Sequence, residues 1–296
     1  MEKRLLEYKS RWSVAAPYLF LAPTLLIMSV LVFYPVLVSF SYSMQSMKLT
    51  APDNTAFVGL SNYAAILSSP DFRYALLNTL FVVAVCVVVC LILGLALAQL
   101  LNVKSPIRGA LMALAIVPWA MPPVVNGILW KFIFNSGYGL LNKLLLGIGV
   151  ISEPVAWLSQ RWSLLLCVSL VVAWRSIPFC AVIFLSAMSA IPERLYSAAR
   201  IDGAGPYQRF AHITLPLLTP SVAIALTNVS ISAMNVFDEI VMFSGFGNLG
   251  KTLLVENYLT TFTFLDFGTG SAFSYVVMLL SGALGFFYIK KLGERR

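Results

Sequence analysis

Residues 191–216 read IPERLYSAARIDGAGPYQRFAHITLP, a charged segment with apolar runs on both sides. The runs, 163–187 and 217–243, reach the roughly 20 residues that an α-helix needs to cross the hydrocarbon core of a bilayer. A polar segment held between two such helices is confined to a membrane surface, where its charges face water or another protein. Four more runs of this kind lie at 15–40, 75–101, 109–132 and 271–289. The pattern predicts an all-α membrane protein with six transmembrane helices. Composition agrees, with 59% hydrophobic residues, 11% charged residues and a mean hydropathy of +0.87, outside the range of soluble globular domains.

The first run follows Lys3, Arg4, Lys9 and Arg11, as a secretory signal would. It is longer than a signal's apolar core and no small-residue cleavage site follows, so a retained first span is expected. Loops rich in Lys and Arg stay on the cytoplasmic side. With both termini inside, the inner segments hold Lys3, Arg4, Lys9, Arg11, Lys104, Arg108, Arg194, Arg200, Arg209, Lys290, Lys291, Arg295 and Arg296. The outer loops hold only Lys48, Arg73, Lys131, Lys143, Arg161 and Lys251. This bias puts 191–216 in the cytoplasm and accounts for the net charge of +8 by topology, with no nucleic-acid partner.

Cys86, Cys90, Cys167 and Cys180 all fall inside apolar runs, where cysteine acts as a small apolar residue. No disulfide framework is implied. His212 has no second ligand nearby and reads as a loop residue, so no metal site is expected, nor any catalytic centre. Residues 245–252, GFGNLGKT, do match the G-x-x-x-x-G-K-[ST] pattern of a phosphate-cradling loop through Gly245, Gly250, Lys251 and Thr252. That pattern requires a preceding strand and a βαβ neighbourhood that supplies a magnesium-holding acid. Here the preceding run is of spanning length and the charge bias puts the segment away from ATP. It is read as a glycine-rich outer loop.

Within 191–216, Pro192 suits the first turn of a helix and Glu193 complements the positive end of its dipole. Leu195, Ala198, Ala199 and Asp202 recur at helical spacing, and the two alanines leave a shallow face. Gly203 stops the helix by taking the left-handed conformation. Gly205 and Pro206 start a second short helix with Phe210 and Ile213 on one face, and Leu215 and Pro216 feed into the fifth span. By spacing alone, an ordinary interfacial loop resting on lipid headgroups is the other reading of this helix, turn and helix.

At membrane depth, Pro118, Pro122 and Pro123 interrupt the third run and Asn126 carries an amide into it. Such features occur where they face protein or water; kinks and an Asn bonded to a neighbouring helix are the other reading. Arg175 sits midway along the fourth run, where a charge costs at least a few kcal/mol on insertion scales, so it needs an acceptor. Substrate, water, Asp238 or Glu239 are the candidates, the two acids lying in the outer part of the fifth run.

The order Ala198-Ala199, Gly203, then Ile213-x-Leu215-Pro216 resembles the EAA loop of ABC importer permeases, the element that docks on the ATP-hydrolysing subunit. The wider string is similar to the carbohydrate-uptake branch, with maltose, glycerol-phosphate and oligosaccharide permeases. Ala22-Pro23, Tyr34-Pro35, Phe57-Val58-Gly59-Leu60 with Asn62-Tyr63, Val117-Pro118-Trp119-Ala120, Phe134-Asn135 with Gly137, and Trp174 with Pro178-Phe179 extend the resemblance over nearly the whole chain. The glutamate that names the loop is Ser197 here.

The resemblance implies the type I ABC importer permease fold, a single transmembrane domain over residues 1–296 with a coupling loop at 191–216. It implies a coupling set of Leu195, Ser197, Ala198, Ala199, Arg200, Asp202, Gly203, Ala204, Phe210, Ile213, Leu215 and Pro216. It implies a substrate path drawn from Trp119, Asn126, Trp130, Arg175, Ser176, Phe179, Asn228, Ser232 and Asn235, residue types that suit a sugar. The implied partners are a second permease subunit forming a heterodimer, two ABC ATPase subunits that bind ATP and magnesium, an extracytoplasmic solute-binding protein and membrane lipid. The chain needs no cofactor of its own and would sit in a bacterial or archaeal cytoplasmic membrane. A secondary transporter or channel would use the same spans without an ATPase, leaving the loop unexplained, and no internal repeat supports it.

Overall fold

A computed structural model describes residues 16–103 and 105–293. Lys3, Arg4, Lys9, Arg11, Lys104, Arg295 and Arg296 lie outside the described residues. The described residues are almost wholly helical. Four helices are long and apolar enough to span a membrane: α1 (Ala16–Ser43), α3 (Pro70–Leu101), α7 (Arg161–Ser189) and α13 (Phe267–Leu292). Two bent pairs raise the number of spans to as many as six, α4 (Arg108–Ala120) with α5 (Pro123–Ile133) at 95°, and α9 (Pro206–Leu217) with α10 (Thr219–Met234) at 67°. Shorter helices are α2 (Ser61–Ser68), α6 (Leu140–Gly147), α8 (Glu193–Ile201), α11 (Asp238–Ser244) and α12 (Leu253–Tyr258).

The third run is not one straight helix. Met121 is extended, as a residue before proline prefers, and Pro122 precedes Pro123 at the start of α5. The fifth run ends earlier than the expected residue 243. Helix α10 stops at Met234, and Asp238 and Glu239 open the separate helix α11 instead of continuing the span. Thr252 holds this break from a distance, its buried hydroxyl donating to the Val236 carbonyl over 3.1 Å.

The chain forms two compact units, one reaching to Ile66 and including Thr260–Tyr275, the other made of Leu67–Leu259 and the residues from Val276 onward. In the first, the Asn62 amide donates to the Ser43 and Gln45 carbonyls, 2.9 Å each, and the Tyr63 and Ser43 hydroxyls lie 2.7 Å apart. The Phe57–Tyr63 motif is thus a clip that folds the chain back onto the end of α1. Gly268 lets two backbones approach: its N–H donates to the Met47 carbonyl, and a Cβ there would fall 2.1 Å from the Gln45 oxygen.

In the second unit, α3 and α7 pack along their lengths. Cys86, Cys90, Gly94 and Ala98 recur every four residues on α3, all buried, and form a stripe of small side chains. A Cβ on Gly94 would lie 2.9 Å from the Cβ of Cys180 on α7. All four cysteines are free and buried, in keeping with their reading as small apolar residues.

The GFGNLGKT segment joins this packing at the end of α7 opposite α8. Lys251 is buried, with Nζ 2.8 Å from Glu256 and 3.6 Å from Asp71, and its carbonyl accepts from the Asn78 amide. The Leu253 N–H donates to the Thr79 hydroxyl, and a Cβ on Gly250 would lie 2.6 Å from Leu164. A phosphate-cradling loop needs its lysine, its threonine hydroxyl and its backbone open to the ligand. Here all three are bonded into the protein, and a helix, not a strand, precedes them.

Candidate coupling loop and the polar cluster within the apolar helices

Helix α8 begins at Glu193 with Pro192 as its N-cap, one residue later than Pro192 alone would indicate. It ends in two interlocked hydrogen bonds, Gly203 N–H to the Arg200 carbonyl and Ala204 N–H to the Ala199 carbonyl, 3.2 and 2.8 Å. This is the Schellman arrangement, and it requires the left-handed φ of +78° at Gly203. The Gly205 N–H then donates to Oε1 of Gln208, which starts α9 behind Pro206. The Tyr196 and Thr214 hydroxyls, 2.9 Å apart, tie α8 to α9.

Sequence order therefore becomes one exposed surface. Leu195, Ala198, Arg200, Asp202 and Gly203 are exposed, while Ser197, Ala199, Ala204, Phe210 and Ile213 are half-buried. Leu215 and Pro216 are exposed near the end of α9, before the 67° bend at Leu218. Between the two helices lies an open concavity of about 320 Å³ lined by Ala199, Asp202, Gly203, Arg209, His212 and Ile213, among others. Ser197, where the resemblance to the EAA loop would expect a glutamate, accepts from Arg200 over 2.9 Å, and Arg200 also pairs with Glu193 at 3.3 Å. The acid nearest Arg200 lies one turn before Ser197. Both members of that pair are exposed, which makes its contribution to stability small.

The second cluster centres on Arg175, the middle of the 29 residues of α7 and about 21 Å of helix from either end. Its acceptor is Glu239, with Nε and Oε1 3.6 Å apart, an ion-pair distance too long for a hydrogen bond. Asp238 is not the partner. Glu239 is held by the packing of α11 on α5, where a Cβ on Gly127 would lie 3.0 Å from Met242 and 3.3 Å from the Glu239 Cα. Lys131 secures the same contact by donating to the Met242 carbonyl over 2.6 Å. In the sequence Gly127 is marked only by its place directly after Asn126 and four residues past Pro123.

Asn126 is fully buried; its amide N–H lies 3.5 Å from the Val171 carbonyl and its Oδ1 has no hydrogen-bond partner. Trp130 meets Trp174 edge-on at 5.5 Å between ring centroids, and Trp119 stacks with Phe179 at 6.3 Å. Ser176 turns into its own helix, donating to the Val172 carbonyl. Asn228 lies on the exposed face of α10 with Ser232 half-buried beside it, and Asn235, also exposed, caps the end of that helix. No hydrogen bond joins these three to Arg175 among the described residues, so the candidate path residues form two groups, one around Arg175 and one along α10.

Residues 90–296 match the family described as binding-protein-dependent transport system inner membrane component. The chain is 36% identical over 277 residues to the trehalose/maltose transport system permease protein MalF of Thermococcus litoralis, covering 92% of each. It is 34% identical to the sulfoquinovosyl glycerol transport system permease protein SmoG of Agrobacterium fabrum, covering 92% of this chain and 88% of that one. Its fold is similar to that of a bacterial ABC transporter involved in the import of the acidic polysaccharide alginate, with a TM-score of 0.79 and 20% identity over 97% of this chain and 98% of that one. Matched along most of its length by family and relatives alike, the chain belongs to the binding-protein-dependent transport system inner membrane components and is a permease subunit of an ABC importer.

Proposed function

We propose that this permease carries a sugar or sugar derivative into a bacterial or archaeal cytoplasm, as one half of a heterodimer with a second permease subunit. Residues 191–216 face the cytoplasm with both termini, and two ABC ATPase subunits, which bind the ATP and magnesium, dock on them. A solute-binding protein delivers the cargo at the opposite face. The observation that carries the coupling role is the Gly203 turn, which fixes α8 as a short exposed helix over a concavity with few bonds to the rest of the chain. A rigid helix presented this way transmits a push to α7, which it directly follows. The sugar class is supported by the relatives named for trehalose and maltose and by the aromatic pairs Trp130–Trp174 and Trp119–Phe179, whose faces suit sugar rings.

Two measurements test the reading. The complex purified from native membranes through this chain is expected to contain an ABC-type ATPase, and its absence would overturn the coupling role. The cognate binding protein is expected to gain thermal stability with a carbohydrate; stabilisation only by an unrelated class, such as amino acids, would overturn the sugar class.

A further inference from the structure

The proteins that this chain resembles are named for cargoes of different charge, trehalose and maltose, which are neutral, on one side and an acidic polysaccharide on the other. Family membership therefore leaves the charge of the cargo open. Arg175 bears on it directly, because an uncompensated guanidinium midway along a membrane helix would draw an anion strongly in that low-dielectric setting.

The guanidinium is not uncompensated. Its Nε edge is buried against Glu239, whose side chain is 3% exposed, while the Arg175 side chain as a whole keeps 21% exposure. Among its nitrogens only Nε is both buried and without a hydrogen bond, so the Nη edge is the one turned outward. Trp174 precedes it in sequence, half-buried and in contact with Trp130. A ligand at that edge meets a fork of N–H donors beside an aromatic ring, with a carboxylate fixed directly behind the positive charge.

Coulomb attraction falls only as the inverse of distance, so a carboxylate 3.6 Å behind the guanidinium cancels much of its pull on an incoming anion. It leaves the donor geometry intact. Hydroxyl oxygens accept from such donors without bringing a charge that Glu239 repels. Glu239 is also placed to stay: its backbone is clamped on α5 at Gly127, and the first turn of α11 puts it at the positive end of that helix.

We infer that Glu239 is a specificity-determining residue, which neutralises Arg175 so that the path admits neutral polyhydroxylated cargo, sugars without an acid group, in preference to anionic sugar derivatives. This rests on the carbohydrate reading above and adds the charge class. Nothing chemical happens to the cargo; Glu239 acts through the charge it removes.

The test uses the assembled permease pair with its ATPases in nanodiscs, without the binding protein, so that selectivity comes from the path alone. Maltose and its C6 uronate, which differ by one carboxylate, are titrated against intrinsic tryptophan fluorescence. Wild type is expected to bind maltose more tightly. Glu239→Gln, which removes the charge and little of the volume, should move the ratio of the two dissociation constants at least ten-fold toward the uronate. The double variant Arg175→Gln/Glu239→Gln keeps the site neutral and should hold the wild-type ratio; it carries the test if the single variant fails to assemble. Binding of both probes with an unmoved ratio in Glu239→Gln, or a moved ratio in the double variant, overturns the charge role and leaves the sugar path standing. Binding of neither probe to wild type overturns both.

Discussion

Gly203 offers the cleanest separation of backbone from contact. A Cβ added there meets nothing within 4 Å, so within this chain a substitution costs only the left-handed conformation at φ +78°. For an ordinary L-residue that is about 1–2 kcal/mol, and for asparagine it is less, because its short polar side chain bonds locally. One or two kcal/mol is a factor of roughly 5–30 in the equilibrium between the closed turn and an unwound one. In reconstituted complexes, ATP-driven uptake should therefore rank Gly203, then Asn, then Ala, with Ala reduced several-fold. Hydrogen exchange at the Gly203 and Ala204 amides should accelerate in the same order, since their bonds to Arg200 and Ala199 depend on the turn. Gly203→Asp, nearly isosteric with Asn, adds a charge beside Asp202 and is expected to insert normally yet lose uptake. Equal uptake by Gly and Ala would refute the turn as the coupling device. Complete loss with Asn, despite protected amides, would refute the backbone argument and point to a partner surface pressed against the missing Cβ.

Lys251→Ala should lower the thermal midpoint in detergent by removing about 1.5–3 kcal/mol, the worth of a charge-assisted hydrogen bond, because it takes away a buried cation 2.8 Å from Glu256 and 3.6 Å from Asp71. Binding of a labelled ATP analogue by the purified chain should be absent before and after that change; binding that Lys251→Ala abolished would revive the phosphate-loop reading. Burial alone would push the Lys251 pKa down, but Glu256 and Asp71 outweigh it and hold the group above its ordinary value. Its stabilising contribution is then fully present below the ordinary lysine value of 10.5 and is lost as pH rises through the higher folded value, so Lys251→Ala should cost the same at pH 7 and pH 9. Gly127→Val forces α11 away from α5 at an overpacking cost of about 1–3 kcal/mol, and should change the Trp130 emission. Gly268→Ala sets a Cβ 2.1 Å from a backbone oxygen, which no side-chain rotation relieves, and should sharply reduce accumulation of folded protein in membranes.

The spans that were legible in sequence are those where apolar length and helix length coincide. Helices α1, α3, α7 and α13 have no residue that breaks them completely; even Pro178 is carried inside α7. The third run announced its bend, since Pro122-Pro123 leaves the preceding residue little choice but an extended conformation. The fifth did not. Its break at residues 235–237 contains neither proline nor glycine, and it is held by a hydroxyl sixteen residues away, that of Thr252. Hydropathy averages across such a break, because Val236 is as apolar as any helical residue and is equally buried. The same limit applies to Arg175. Its need for an acceptor follows from its depth, but the choice of Glu239 over Asp238 depends on which face of a separate short helix meets α7. That follows from Gly127 and Met242, not from spacing.

The breaks also locate compliance. Along α3 the backbone bonds are continuous and along α7 they lapse at Pro178, which has no N–H to donate, while the small-residue stripe at Cys86, Cys90, Gly94 and Ala98 brings the two helices to van der Waals contact, so bending either one opens a packed interface. The ends opposite α8 are fastened as well: Arg161 donates to Asn78 over 2.8 Å and lies 3.9 Å above the Tyr74 ring, while Asn78 reaches the Lys251 carbonyl. A displacement applied at α8 therefore meets one interruption within α7 before it reaches Arg175, at Pro178. Beyond α7 the helical ladder also breaks at Met121 and at residues 235–237, and the chain bends by 67° around Leu218, between Pro216 and Pro220. The breaks at Met121 and at 235–237 flank the helices that carry Asn126 and Glu239, so these two residues stand on elements joined to the spans through interrupted helix, while Arg175 stands within α7 itself. A 3.6 Å ion pair without a hydrogen bond suits that situation, since a shift of an ångström changes its energy gradually, whereas a bidentate pair would lock the two elements together.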